Sequence, residues 1–77
     1  MKVKVIIFGQ LTDITGTPNL TLTDISNTEE LVAKLNTMHP ALSSATYVLA
    51  VDGSMVSGNR NLADNSTIAL LPPFSGG

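Results

Sequence analysis

Residues 2–8 read Lys2-Val3-Lys4-Val5-Ile6-Ile7-Phe8, an alternation of lysine and valine that becomes wholly apolar after Val5. The run is dominated by β-branched residues, which fit a pleated surface, and predicts a strand placed centrally in a sheet. Successive side chains of a strand point to opposite faces. Val3, Val5 and Ile7 therefore share one face, and Lys2, Lys4, Ile6 and Phe8 share the other. Near the far end of the chain, Thr67-Ile68-Ala69-Leu70-Leu71 forms a second apolar strand. Ile68 and Leu70 are expected to face the core, and Ala69 and Leu71 to lie on the same side as Ile6 and Phe8.

Between these two strands the hydrophobic period changes once. Gly9 to Asn19 carries Gly16, Pro18 and several threonines and reads as a loop, with one turn of helix around Leu11 to Ile14. Leu20 to Thr23 alternates as a short strand. Asn27 is an N-cap with Glu30 three residues on, a capping-box spacing, and Leu31, Leu35, Met38 and Leu42 follow as an apolar stripe on one side of a helix. His39-Pro40 ends that helix at roughly 11 to 12 residues, because a proline disfavours helical geometry in the residue before it. Tyr47 to Val51 is a strand, Asp52-Gly53 a two-residue hairpin turn, and Ser54 to Ser57 a short returning strand. Gly58 to Asn65 is polar and turn-rich.

The order ββαββ, with one extra short strand, predicts an α+β chain. It has a mixed four- to five-stranded sheet with one main helix covering one face. The first and last strands are expected to pair in the middle, the β-grasp arrangement of ubiquitin. Residues 1–71 make this domain, and residues 72–77 an extended tail ending in Gly-Gly. A single helix leaves the other sheet face uncovered, so apolar residues there need an explanation.

Composition narrows the chemistry. The chain has 77 residues, no cysteine, one histidine and a net charge of −2 with four basic residues. Neither a disulfide nor a thiolate metal site can brace it, and an aliphatic core must do so. Four cations argue against binding a phosphate backbone, so no nucleic-acid partner is expected. The apolar runs are far shorter than the roughly 20 residues that cross a bilayer, so no membrane partner is expected either. No cleavage-site pattern follows Met1-Lys2-Val3-Lys4, and a cytoplasmic location is the expectation. GxxxxGK, HExxH and CxxC spacings are absent, so no bound metal or cofactor is expected. A reactive group, if there is one, should be something other than an ordinary catalytic side chain.

The chain stops on Leu70-Leu71-Pro72-Pro73-Phe74-Ser75-Gly76-Gly77. Phe8, Gly9 and Gly16 stand in a pattern of strand-ending Phe, small residue, and Gly eight positions after the Phe. Val48 to Gly53 reads VLAVDG, and the end reads ADNSTIALLPPFSGG. Together these resemble the small subunit of molybdopterin synthase, with its A-V-N-G hairpin and P-P-x-x-G-G terminus. The similarity runs over essentially the whole chain. Thr12-Asp13 departs from it, where many members carry an Arg-Glu pair.

The resemblance implies a sulfur carrier that is not an enzyme on its own. A ubiquitin-activator-like enzyme would use ATP to adenylate the Gly77 carboxylate, which then becomes a thiocarboxylate. The tail would enter the large molybdopterin synthase subunit, in a heterotetramer with two large subunits, and deliver sulfur to a pterin precursor. A free carboxylate is a poor electrophile, and an acyl adenylate supplies the leaving group. Gly76 and Gly77, lacking Cβ, let the tail thread a narrow channel. Pro72-Pro73 favours an extended arm, and the six residues from Leu71 to Gly77 reach about 19 Å at roughly 3.1 Å per residue. Phe74 is the expected anchor at the channel mouth, with Ser75 beyond it. Ile6, Phe8, Ala69 and Leu71 are the expected docking patch, with self-association as the alternative use of that patch.

Other residues have plainer readings. His39 belongs to the helix C-terminus, Glu29 and Glu30 to its first turn, and Asp52-Gly53 and Asp64-Asn65 to turns. Lys2 and Lys4 belong to a solvated face, although either could meet an acidic partner. Two other functions share the Gly-Gly end. One is a sulfur carrier for thiamine thiazole synthesis, which typically lacks the paired prolines; the other is a ubiquitin-like modifier conjugated through Gly77. A plain interaction module would not need the two glycines.

Overall fold

The two apolar strands meet in the middle of one sheet. β1 (Val3–Ile7) runs parallel to β5 (Thr67–Leu71), with Val5 opposite Ile68 and Ile7 opposite Leu70. The computed structural model describes residues 2–56 and 58–72. β2 (Asn19–Leu22) lies antiparallel against β1, β3 (Val48–Val51) antiparallel against β5, and β4 (Ser54–Val56) antiparallel against β3. The resulting order is β2-β1-β5-β3-β4. A parallel pair cannot be closed by a tight turn and needs a long crossover. The intervening chain contains the main helix, α2 (Thr28–Met38). The fold is therefore the α+β β-grasp, with a mixed five-stranded sheet and one main helix on one face.

Two shorter helical pieces complete it. α1 (Leu11–Thr15) is the turn expected near Leu11, and Gly16 ends it in the left-handed region at φ 75°, its N–H donating to the Thr12 carbonyl at 2.8 Å. That is the geometry a C-terminal glycine cap supplies most easily. Between β3 and β4, Asp52 and Gly53 take φ values of 48° and 88°, the paired positive angles of a type I′ hairpin.

The core is aliphatic throughout. Val3, Val5 and Ile7 of β1, Ile68 and Leu70 of β5, Leu22 of β2 and Val51 of β3 close against Leu31 and Leu35 of α2. Leu11, Ile25, Leu42 and Leu62 fill the margins.

The helical stripe needs one correction. Met38 is 43% exposed, and Leu42 lies not on α2 but in a separate 3-10 helix over Pro40–Ser44. His39, at φ −135° and ψ 83°, leaves helical geometry and redirects the chain. Leu42, rather than Met38, closes that end of the core at 1% exposure. Smaller differences lie at strand ends: β2 includes Asn19 and stops before Thr23, and β3 starts at Val48 rather than Tyr47. Ser57, expected at the end of β4, lies outside the described residues.

The polar segment after β4 caps the main helix from outside. The Asn27 side chain accepts from the Glu30 N–H at 2.9 Å, and the Glu30 carboxylate accepts in return from the Ser26 N–H at 2.7 Å. Asn59 Oδ1 accepts from the Glu29 N–H at 3.0 Å, and the Thr28 N–H donates to the Arg60 carbonyl at 2.9 Å. The free N–H groups that every helix N-terminus leaves are thus met partly by the Asn59 side chain, 30 residues away, and by the Arg60 carbonyl. Among the described residues, no helix is long and apolar enough to cross a membrane.

Replacing Asn27 with Ala removes an N-cap acceptor and is expected to cost about 1 kcal/mol of stability, read as a lower urea midpoint at unchanged slope. Partial burial of Tyr47 raises its phenol pKa above the ordinary 10.0. The folded state then favours the protonated phenol. Its contribution is full below the unfolded pKa and is lost as pH rises through the folded one. Stability should fall above pH 10.0, and Tyr47→Phe should remove part of that fall in urea titrations at stepped alkaline pH.

Candidate functional site

The face of the sheet away from α2 is built by the same alternation that builds the core. Ile6 stands opposite Ala69, Ala69 opposite Ala50, and Ala50 opposite Met55. One row further along, Leu71 stands opposite Val48. Phe8 continues β1 at that end, its N–H donating to the Leu70 carbonyl at 3.0 Å. None of these side chains belongs to the buried cluster that α2 covers. Phe8 is 45% and Met55 57% exposed, Ile6, Ala69, Leu71 and Val48 are half-buried, and Ala50 is buried beneath its neighbours on this side. The result is a contiguous apolar surface across β1, β5, β3 and β4.

The structure brings Ile6, Phe8, Ala69 and Leu71 together as expected. Sequence reasoning missed Val48, Ala50 and Met55. The strand Tyr47–Val51 was legible, but alternation alone cannot say which of its two sets faces the helix. The pairing with β5 decides that. Lys4 and Thr67 stand opposite one another in the next row away from Phe8, so the face passes from polar at one end to apolar at the other.

The apolar end is where the tail begins. Leu71 is the last residue of β5, and Pro72 follows directly. The Pro72 ring lies against Gly9, where a Cβ would stand 3.0 Å from Pro72 Cγ. Pro72 also lines a cleft of about 370 Å³ with Gln10, Leu11, Asp13, Ile14, Ala45 and Thr46. Pro73, Phe74, Ser75, Gly76 and Gly77, the tail residues expected to carry the chemistry and the anchoring, lie outside the described residues.

The remaining candidates have structural places. The His39 N–H donates to the Leu35 carbonyl at 2.8 Å, closing the end of α2. Glu30 completes the helix cap. Asp64 Oδ1 accepts from the Lys2 N–H at 2.8 Å and ties the start of β1 to the loop before β5. Asp52 Oδ1 accepts from the Thr67 N–H at 2.9 Å beside its own turn. Among the described residues, no group of three His, Cys, Asp or Glu side chains is placed to hold a metal ion.

A β-grasp body whose central strand leads directly into Pro72 places the chain in the class of small ubiquitin-like proteins. The chain belongs to the ThiS family, whose model matches residues 5–77. It is 35% identical over 83 aligned positions to the molybdopterin synthase sulfur carrier subunit of Chlamydomonas reinhardtii, covering 100% of both chains. Among solved structures, it resembles a chain of the complex of subunits 1 and 2 of molybdopterin-converting factor from Helicobacter pylori. The TM-score is 0.75 at 26% identity, with 100% of each chain covered. It also resembles small archaeal modifier protein 1 from Methanosarcina acetivorans, with a TM-score of 0.85 at 25% identity, covering 99% of this chain and 96% of that one.

The assignment of faces is directly testable with neighbouring residues of one strand end. Phe8→Asp, on the open face, should change stability by no more than about 0.5 kcal/mol. Ile7→Asp buries an unpaired carboxylate in the aliphatic core and should cost several kcal/mol, enough to leave much of the chain unfolded by circular dichroism.

Proposed function

We propose that this chain is a sulfur carrier for molybdopterin synthesis, a non-catalytic subunit whose own C-terminus is the cosubstrate. The observation that supports this best is the 35% identity, over both full lengths, to a molybdopterin synthase sulfur carrier subunit, joined to the Pro72-Pro73-x-x-Gly76-Gly77 ending. In this reading residues 1–71 are the handle and residues 72–77 the working arm.

The chemistry follows from the terminal carboxylate. Attack of a Gly77 carboxylate oxygen on the α-phosphorus of ATP, in the active site of a ubiquitin-activator-like enzyme, releases pyrophosphate and leaves an acyl adenylate. A sulfide-level nucleophile then attacks the carbonyl carbon and expels AMP, which leaves a thiocarboxylate. The chain has no cysteine, so it cannot carry this sulfur as a side-chain persulfide. The loaded tail enters the large synthase subunit, where its sulfur passes to the pterin precursor. The open face of Ile6, Phe8, Ala69 and Leu71, extended by Val48 and Met55, is the docking surface in this scheme. A large-subunit partner accords with the Helicobacter pylori complex of two molybdopterin-converting-factor subunits.

A second reading is a protein modifier joined to lysines through Gly77, favoured by the likeness to small archaeal modifier protein 1. The two differ in product. Incubation with the activating enzyme, ATP and a sulfur source should replace one terminal oxygen by sulfur, seen by intact mass, and a chain lacking Gly76 and Gly77 should show no change. Covalent adducts to other proteins without the thiocarboxylate would favour the modifier. Phe8→Asp should fold yet bind the large subunit at least about 10-fold more weakly, as loss of a central aromatic contact does; normal binding in a titration would remove the open face from the scheme.

A further inference from the structure

Gly9 stands just beyond β1, at the end of the sheet where β5 gives way to Pro72. Its backbone is in the left-handed region at φ +61°, and a Cβ there would meet Pro72 Cγ at 3.0 Å and Cδ at 3.6 Å. Non-bonded carbons rest about 3.5–4.0 Å apart, so any side chain at position 9 would push the proline ring by a few tenths of an ångström. The ring also borders the cleft of about 370 Å³ lined by Leu11, Ile14 and Ala45. The Pro72 ring therefore stands where a side chain at position 9 would reach, and it borders open space as well. A push from position 9 has somewhere to go.

We propose that Gly9 is a positioning residue for the tail. By carrying no side chain, it lets the Pro72 ring keep the place from which the chain leaves β5. Its consequence for sulfur transfer rests on the sulfur-carrier reading; its effect on Pro72 does not. The terminal carbonyl is joined to the body through Pro72, so a displacement of Pro72 bears on where the reacting group is presented. Misplacement is costly for a reacting group that must be aligned with its attacker.

The test uses the full chain with Gly9→Ala, Pro72→Ala and both together. For tail direction, each carries Ser75→Cys; the chain has no cysteine of its own, so a nitroxide attaches at that one place. Paramagnetic broadening of the body amides then maps where the tail points. Gly9→Ala should change the map when Pro72 is present. The double variant should give the map of Pro72→Ala alone, because without Cγ and Cδ the added methyl meets only Cβ of residue 72, at an ordinary 4.0 Å. Backbone strain at φ +61° would instead act equally in both backgrounds.

In unlabelled chains, Gly9→Ala should lower kcat for ATP–pyrophosphate exchange by the activating enzyme on the order of 10-fold. KM should be unchanged, and the loss should be absent in the Pro72→Ala background. If Gly9→Ala does not fold, Gly9→Asn, which tolerates left-handed backbone, carries the same comparison. Identical maps for the parent and Gly9→Ala, or an equal effect in both backgrounds, overturn the proposal. A parent chain that supports no exchange while the maps behave as expected removes the sulfur-carrier reading and leaves the positioning role standing.

Discussion

The parallel pairing of β1 with β5 is the constraint on which the rest of the molecule depends. It places the two most apolar strands side by side in the centre of the sheet, with Ile6 opposite Ala69 and Ile7 opposite Leu70. Because the strands run the same way, they end together, and Phe8 and Gly9 arrive beside Leu71 and Pro72. An antiparallel pair would have put the start of β1 at the tail's root, with Lys2 and Lys4 in place of Phe8. Parallel pairing also demands a crossover, and that crossover carries the helix that covers one face.

The central pair then serves two purposes through its pleat. One set of side chains, Val3, Val5, Ile7, Ile68 and Leu70, is buried almost completely against α2. The other, Ile6, Phe8, Ala69 and Leu71, remains accessible although it is nearly as apolar. A chain of 77 residues has little core to spare, and here stability rests on one face while the other is free for recognition. In the sulfur-carrier reading this separation matters. A surface that must bind and release partners contributes little to holding the domain together, so docking and undocking need not disturb the fold.

The edges are secured by polar contacts rather than by further apolar burial. Asn27 and Asn59 accept from the first free N–H groups of α2. Asp64 accepts from the backbone at the start of β1, and Asp52 from that at the start of β5. These carboxylates and amides read in the sequence only as turn and cap residues. The Asn27–Glu30 cap was legible from its spacing, but Asn59, Asp64 and Asp52 pair with residues 30, 62 and 15 positions away, and those pairings were not.

Period and turn chemistry are local properties, and the sequence by itself determined what depends on them. It determined a sheet of four to five strands, the helix after Asn27, the Asp52-Gly53 hairpin, the faces of β1 and β5 relative to each other, and the central place of both. The tail's reading came from motif resemblance alone. Three things belonged to tertiary structure, because each depends on which strand lies beside which. Leu42 replaces Met38 at the end of the core, since the chain turns at His39 instead of continuing as helix. Val48, Ala50 and Met55 join the open face, since only the register with β5 selects that side of β3. Gly9 meets Pro72 across 63 positions of sequence, because parallel strands of equal length bring their ends to the same place.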